Sequence, residues 1–295
     1  MSNVSQTESG KAWEYGLAKA FERQLRGKPP IKVNGPLTKS QKSFYRINPL
    51  ERNKILRAAC EAVDFMMAHD ERLDNTDKIF IQSDMEGRHG DVRDIILDTH
   101  LAEVGISAKN RHNALKHSRL SDTIDFGQQW YRISCSEEYW SKVRPIFQRL
   151  QEYTEKGMKF SEITDKQDQI YLPILDAFIQ ETKRFADCKR MLRYLIGLHD
   201  FYKIIKENGT ILIQSFNLGG TLKWGKKLPQ PNRVIDCALK DRSKTTALMY
   251  MDEGWSLSFR IHNARSLVEP SVKFDVRLAG VPPVLTNHFI TYDGD

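Results

Sequence analysis

Two short apolar runs joined by a turn constrain this chain more than any other feature of its sequence. They span residues 91–97 (DVRDIIL) and residues 103–109 (EVGISAK). Successive side chains of a β-strand point to opposite faces of the sheet. In the second run one face is apolar, and the alternate positions share the other face: Glu103, Gly105, Ser107 and Lys109. The pattern predicts a β-hairpin whose apolar face packs in a core while its polar face is available for chemistry.

Asp94 at the entry of the first strand and Lys109 at the end of the second form a pair that suits phosphodiester hydrolysis. A turn at residues 99–102 places Asp94 opposite Ile106 or Ser107. Its carboxylate then points towards Lys109. Hydrolysis needs an activated water and neutralisation of the charge that develops on the phosphate. One or two carboxylates commonly hold Mg²⁺ for that purpose, so we expect Mg²⁺ as the cofactor.

This arrangement resembles that of the PD-(D/E)xK class of metal-dependent nucleases, with one departure. The class usually carries an acid two residues before the lysine, where this chain has Ser107. The missing carboxylate must come from elsewhere, and Glu14, Asp91 and Glu103 are the candidates. Glu14 lies at the edge of an apolar helix stripe, Asp91 flanks the strand entry, and Glu103 is roughly 13 Å along the strand from the serine. The choice among the three stays open.

On its own, D-x₁₄-K with serine in the acidic position is a weak motif. A surface hairpin with solvated ion pairs, each contributing under about 1 kcal/mol, explains it equally well. The basic stretch at residues 110–121 favours the nuclease, because it contains no acid and suits phosphate contacts. The candidate DNA-contacting residues there are Asn110, Arg111, His112, Lys116, His117 and Arg119. A solvated basic helix would look similar, and a His/Asn/His nuclease lacks a second histidine at a suitable spacing.

The overall charge supports a polyanionic partner. The 295 residues include 45 Lys and Arg against 38 Asp and Glu, which gives a net charge of +7 and a pI near 9.1. The four cysteines form no CxxC pair, which argues against a zinc site and for reduced thiols. The N-terminus lacks the apolar core of a signal peptide, and no apolar run approaches the roughly 20 residues of a membrane span. We expect a cytoplasmic protein without a membrane partner.

Hydrophobic periodicity predicts an α/β (α+β) architecture. Residues 11–26 form a helix, and Asn48 followed by Pro49 starts a second one. Strands are expected at residues 78–82, 130–134, 210–216, 245–251, 257–261 and 272–278, with helices filling 136–208. Three regions follow: a nuclease core with a mixed central sheet flanked by helices at 1–135, a helical region at 136–209, and a β-rich region for DNA recognition at 210–295. No linker separates them, so we expect them to pack as one body.

The C-terminal region carries candidate base-reading residues. Arginine and lysine donate to guanine O6 and N7 in the major groove. Between residues 221 and 265 nine basic residues outnumber four acidic ones. The candidates for DNA binding are Lys223, Lys226, Lys227, Arg233, Arg260 and Arg265. For each of them taken singly, a solvated surface charge is the commoner explanation.

Five stretches resemble the HaeIII-type restriction endonucleases. They are residues 10–21 (GKAWEYGLAKAF), 90–97 (GDVRDIIL), 103–121 (EVGISAKNRHNALKHSRLS), 200–205 (DFYKII) and 254–276 (GWSLSFRIHNARSLVEPSVKFDV). The resemblance implies a type II restriction enzyme that uses Mg²⁺ to cut double-stranded DNA at GGCC, between G and C, and leaves blunt ends. It implies Asp94 and Lys109 as the catalytic pair and Glu14 as a helix-borne metal carboxylate. Glu103 remains a further catalytic and metal candidate, and Asp91 a further metal candidate.

The same resemblance has implications for the oligomeric state of the chain and for a protective methyltransferase. A palindromic site suits a homodimer with two-fold symmetry, although a monomer that nicks each strand in turn is equally compatible. A cognate DNA cytosine methyltransferase is expected as a functional, not a physical, partner, because an unprotected host could not tolerate the nuclease. Two other functions fit the same residues: a structure-specific repair nuclease or resolvase of the same fold, and a basic DNA-binding protein without catalysis.

Overall fold

The chain divides into two compact units, each built from separate stretches of sequence. The computed structural model describes residues 5–27, 30–33, 39–83, 90–111 and 114–292. The first unit contains residues 1–113, 197–228 and 284–295, and the second contains residues 114–196 and 229–283.

Helices and strands both contribute to each unit. The helices are α1 (Gln6–Gln24), α2 (Lys39–Arg46), α3 (Pro49–His69), α4 (Phe126–Tyr131), α5 (Glu137–Glu155), α6 (Leu172–Phe185) and α7 (Cys188–Ile196). The strands are β1 (Ile31–Val33), β2 (Thr76–Ile81), β3 (Ile95–Thr99), β4 (Glu103–Asn110), β5 (Ala114–Leu120), β6 (Phe201–Lys206), β7 (Thr210–Phe216), β8 (Val234–Leu239), β9 (Thr246–Met251), β10 (Ser256–His262), β11 (Val272–Gly280) and β12 (Asn287–Thr291).

A seven-stranded mixed sheet forms the centre of the first unit. Its strand order is β1-β2-β3-β4-β6-β7-β12. The pairs β1–β2 and β4–β6 are parallel, and the other neighbours are antiparallel. The predicted α/β class with a mixed central sheet is confirmed.

Strands β3 and β4 form the predicted hairpin. Their register pairs Ile95 with Ile106 and Leu97 with Val104. The Thr99 N–H donates to the Ala102 carbonyl at 3.1 Å, which closes the turn at the predicted place. The alternation of apolar and polar residues therefore has the register that the sequence indicated.

Two helices cover the apolar face of this sheet. Trp13 and Phe21 of α1 and Val63 of α3 belong to one buried cluster with Val104 and Ile106 of β4. Each fully buried side chain of this size stabilises the fold by about 1.5–3 kcal/mol relative to an exposed one. Helix α1 is thereby held against the strand that carries the candidate lysine.

The starts of both helices follow from local capping. The Asn48 side chain accepts from the Glu51 N–H at 2.9 Å, and Pro49 occupies the first turn, so α3 begins where the sequence predicted. Helix α1 begins earlier than expected, because Ser5 and Glu8 form a capping box that satisfies its first amides.

The second unit contains a five-stranded antiparallel sheet in the order β5-β11-β10-β9-β8. Its core is aromatic: the Phe178 ring of α6 lies 5.0 Å from Phe259 and 4.9 Å from Phe274 between ring centroids. Phe126 of α4 lies 5.3 Å from the same ring. Aromatic pairs at these separations contribute beyond their buried area.

Two element predictions were wrong. The strand expected at residues 130–134 is part of helix α4 and the loop after it, since Asp125 caps the helix by accepting from the Gln128 N–H at 2.9 Å. The helix expected to run to residue 208 ends at Ile196, and β6 follows as a strand paired with β4 and β7. Short apolar runs suit either element, and distant pairing partners decide between them.

The three regions expected from the sequence, 1–135, 136–209 and 210–295, differ from the two units. Residues 114–135 belong to the second unit because β5 pairs with β11. Strand β12 belongs to the first unit because it pairs with β7. Pairing between strands far apart in sequence sets these boundaries, and no local pattern marks it.

Candidate active site

Asp94 stands at the entry of β3, where three donors of β4 orient its carboxylate. The Asp94 Oδ2 accepts from the Ala108 N–H at 2.8 Å, from Lys109 Nζ at 3.0 Å and from Ser107 Oγ at 3.3 Å. Its own N–H donates to the Ile106 carbonyl at 2.8 Å. The side chains of Asp94 and Lys109 are each 21% exposed, so the pair remains accessible to a substrate.

Ser107 occupies the position where a second acid was expected. It is buried, and its hydroxyl donates to Asp94. The serine therefore supports the first carboxylate, and a second carboxylate has to come from another element.

Helix α1 supplies such a carboxylate in Glu14, which is 6% exposed. Both of its oxygens accept from Lys11 Nζ at 2.9 Å, and Ser40 Oγ donates to Oε2 at 3.1 Å. Burial and the negative charge of Asp94 raise the pKa of Glu14 to about 7, although Lys11 and Lys109 oppose the shift. Glu14 thus lies within the electrostatic reach of Asp94 and Lys109.

The other two candidate acids bind Arg93 instead. Arg93 Nη2 lies 2.7 Å from Asp91 Oδ2, and its Nη1 lies 2.8 Å from Glu103 Oε2. Burial alone would raise the pKa of Asp91, but hydrogen bonds from Arg93 and Gln82 hold it below its usual value. Arg93 therefore binds both carboxylates, and the charge of Asp94 shifts the pKa of Glu14 but not that of Asp91.

Gly105 provides the space that Arg93 needs. A Cβ added at Gly105 would lie 2.1 Å from the Arg93 Cδ. The glycine therefore admits the arginine side chain and does not bend the strand towards Glu103. The sequence interpretation missed Arg93, and the available signal was a basic residue between two acids at the strand entry.

The donor set of Asp94 and Glu14 fits Mg²⁺, which takes oxygen ligands and often only one or two protein carboxylates. In the described ranges, no group of three or more His, Cys, Asp or Glu side chains is placed to hold a metal ion. The structure does not bring Asp94, Glu14, Asp91 and Glu103 together as one set.

Comparison with known proteins identifies the family of the chain. Residues 10–282 match the model of the HaeIII restriction endonuclease family. The chain is 37% identical over 310 residues to the type II restriction enzyme HaeIII of Haemophilus aegyptius, with 97% of each chain covered. The chain belongs to the HaeIII restriction endonuclease family. No solved structure matches it.

Membership in the HaeIII family confirms the predicted class of enzyme, a site-specific deoxyribonuclease that hydrolyses phosphodiesters. The match covers almost the whole chain, so it includes both the hairpin and the helix that carry the candidate site. The alternative of a non-catalytic DNA-binding protein is thereby disfavoured.

Of the helices that the structure describes, none is long and apolar enough to cross a membrane.

The basic stretch after the hairpin is divided between surface and interior. Arg111 and Arg119 are exposed, although Arg119 also pairs with Glu269 at 2.9 Å. His117 is partly exposed beside Asp275. Asn110 is buried, and its amide donates to Ser9 Oγ of α1 at 2.6 Å. His112 lies outside the described residues.

Lys116 is, with Asn110, a predicted DNA contact that the structure places in the interior. It is 8% exposed, and its Nζ donates to the Tyr194 carbonyl at 3.2 Å and lies 3.3 Å from the centroid of the Tyr194 ring. The carbonyl belongs to the last turn of α7, where a cation is favoured. Lys116 therefore caps a helix in this structure, and its ammonium is engaged by the Tyr194 carbonyl and ring.

The C-terminal candidates are all exposed, and each unit carries three of them. Those in the first unit lie in the irregular segment after β7, and those in the second lie in or beside the five-stranded sheet: Lys223, Lys226 and Lys227, and Arg233, Arg260 and Arg265. Arg265 also pairs with Glu269 at 3.3 Å. Their exposure is compatible with the predicted DNA contacts.

Proposed function

We propose that this chain cuts double-stranded DNA with Mg²⁺ at a site formed by Asp94, Lys109 and Glu14. One observation carries the proposal: Lys109 binds the Asp94 carboxylate at 3.0 Å while the charges of both residues reach the buried Glu14. Lys109 of β4, Asp94 at the entry of β3 and Glu14 of α1 thus share a single electrostatic neighbourhood. A phosphodiester that enters it meets both the donor and the oxygen ligands that hydrolysis requires.

The residues have separate tasks in this proposal. Asp94 and Glu14 would hold Mg²⁺, and the chemistry it would supply there is neutralisation of charge on the phosphate and a more acidic water. The β4 donors hold Asp94 in place. Lys109 keeps one N–H on Asp94 and can direct another to a phosphate oxygen or to the water, because an ammonium group has three donors. Lys11 holds Glu14 through both oxygens.

Asp91 and Glu103 have a supporting task in this proposal. By binding Arg93 from two sides, they fix the segment that enters β3 and so the position of Asp94. Their removal should affect the metal requirement less than removal of Glu14.

We propose GGCC as the recognition sequence and blunt ends as the product, on the basis of the family resemblance. Bidentate donation to guanine O6 and N7 requires exposed arginine or lysine side chains, and Arg233, Arg260 and the exposed lysines meet that requirement. A palindromic target suits a homodimer, which we propose as the assembly, with successive nicking by a monomer as the alternative. The cytoplasm is the proposed location, with a cognate cytosine methyltransferase protecting host DNA.

Digestion of DNA substrates tests the proposal directly. Purified protein is incubated with unmethylated plasmid in Mg²⁺, in Ca²⁺ and in EDTA, and the ends of any fragments are sequenced. We expect discrete bands in Mg²⁺ with blunt ends at GGCC, and no cutting of plasmid methylated at a cytosine of that site. A base-pair change within the site should weaken binding by about 1–3 kcal/mol.

Other outcomes of the same assay point elsewhere. Cutting at another sequence would overturn GGCC but leave the catalytic residues standing. Cutting in EDTA would overturn the metal requirement. Activity on branched or damaged DNA only would indicate a repair nuclease of the same class.

A further inference from the structure

A buried lysine that was not among the predicted site residues lies on the strand next to β4. Lys203 of β6 pairs in parallel register with Ser107 of β4. Paired residues of adjacent strands project to the same face, so Lys203 shares the face of Ser107 and Lys109. Adjacent strands are about 4.8 Å apart and two residues span about 6.6 Å, which puts the two lysine backbones about 8 Å apart.

The Lys203 side chain is 3% exposed. Its Nζ has no hydrogen-bond or ion-pair partner among the described residues, and it lies 6.0 Å from the centroid of the Phe216 ring. Burial, together with the positive charge of Lys109, lowers the pKa of Lys203 to about 8. An ammonium group in this position lowers the free energy of unfolding, because a buried charge without a partner loses its hydration.

Among the described residues, the nearest carboxylate on this face is that of Asp94, which already accepts from Ser107 and Lys109. Strand β7 on the other side of β6 carries no charged residue, and Gln214 is the residue that it places opposite Lys203. Asp200, just before β6, directs its carboxylate to the Gly219 and Thr221 amides at 2.6 and 2.9 Å. The ammonium groups of Lys109 and Lys203 thus repel each other at the site. A bound anionic substrate would reduce this repulsion and the free-energy cost of burying the Lys203 charge.

We propose that Lys203 is a second phosphate-binding residue of the active site, which contacts the DNA backbone beside the phosphate that Lys109 addresses. This inference rests on the proposed catalytic site, and it adds a contact that the motif of acid and lysine does not contain. The sequence motif could not reveal it, because only the pairing of β6 with β4 places residue 203 beside residue 107.

Three variants test this role. Lys203→Met removes the charge at similar length, and Lys203→Arg keeps a charge. Lys206→Met is the matched control, because Lys206 is on the same strand, its pKa is also lowered by burial, and the strand alternation puts it on the opposite face. Binding of a duplex that the wild type cuts is measured in EDTA as a function of salt concentration, together with single-turnover cutting in Mg²⁺ and the thermal midpoint of the free protein.

For Lys203→Met we expect a salt slope of binding that is smaller by about one, since each phosphate contact contributes about 0.9. Cutting should be at least tenfold slower. The midpoint of the free protein should rise, because removing an unpaired buried charge relieves its cost. Lys203→Arg should recover the slope at least in part, and Lys206→Met should leave slope and rate unchanged.

The opposite pattern would overturn the proposal. If Lys203 is purely structural, Lys203→Met lowers the midpoint while the salt slope stays as in the wild type. Should Lys203→Met fail to fold, that loss itself contradicts the expected gain in stability. Asp94→Ala in the same assays separates the two levels: if it cuts normally, the proposed catalytic site is wrong, whereas if it is inactive and Lys203→Met is normal, only the role of Lys203 is wrong.

Discussion

The Nζ of Lys109 lies 3.0 Å from the Oδ2 of Asp94, across a hairpin in which 15 positions separate the two residues. This ion pair is partly exposed, so as a surface contact it would contribute under about 1 kcal/mol to stability. Because this contribution is small, we expect replacement of either residue to leave the protein folded.

Replacement of either member of this pair should abolish cutting. We expect Asp94→Ala and Lys109→Ala each to lose double-strand cleavage in Mg²⁺, because one removes a metal carboxylate and the other the donor to the phosphate. Specific binding should remain measurable by gel shift. A cleavage rate within about tenfold of the wild type, which corresponds to less than 1.4 kcal/mol of barrier, would remove the catalytic assignment of that residue.

Glu14 and Glu103 can be compared with the same substitution. Glu14→Gln should raise the Mg²⁺ concentration needed for half-maximal cutting by at least tenfold, because Glu14 lies within reach of the charge of Asp94. Glu103→Gln should change it little, since Glu103 binds Arg93. A larger effect of Glu103→Gln would transfer the ligand role to that residue. If neither variant changes the requirement, Asp91→Asn is the next variant to measure.

Gly105→Ala should destabilise the first unit by about 1–3 kcal/mol, because the new methyl group would overlap the Arg93 side chain at 2.1 Å. The measurement is urea unfolding, with cutting followed in parallel. Gly10→Ala is the control: it lies in α1 with no atom within 4 Å of the added Cβ, and it should stabilise by about 0.5–1 kcal/mol. Equal effects of the two substitutions would mean that Arg93 moves aside freely.

The stability effect of Lys116 should depend on pH. Burial lowers the pKa of Lys116 from its usual 10.5 to about 7. Between those values the unfolded chain binds a proton that the folded chain does not, so the contribution of Lys116 becomes more favourable as the pH rises. The stability of Lys116→Met relative to the wild type should therefore be greatest near pH 7 and decline towards pH 10.

Urea unfolding at about pH 7 and about pH 9 measures this difference. The comparison with the wild type cancels other groups that titrate in the same range. Lys142→Met, which removes an exposed lysine of α5 paired with Glu138, serves as the control and should show the same difference at both pH values. A Lys116→Met difference that is constant with pH would mean that the ammonium remains charged above the Tyr194 ring.

Local patterns sufficed where neighbours in sequence decide the structure. The alternation in residues 103–109 predicted the faces of β4, and the turn at residues 99–102 predicted its register with β3. Asn48 and Pro49 predicted the start of α3 from capping alone. In each case the deciding interactions join residues that are only a few positions apart. A short stretch of sequence therefore contains both partners of each contact.

Contacts between residues far apart in the chain decided the remaining features of the fold and of the candidate site. The same local rules left residues 201–206 as a helix, and only their pairing with β4 made them a strand and brought Lys203 beside Ser107. The candidate acids Asp91 and Glu103 had the right residue type, but Arg93 binds both. The sequence by itself determined the class of enzyme, the hairpin and its pair of acid and lysine. Which groups share the site was decided by tertiary structure, because strand pairing and the burial of charge depend on residues that are far apart in the chain.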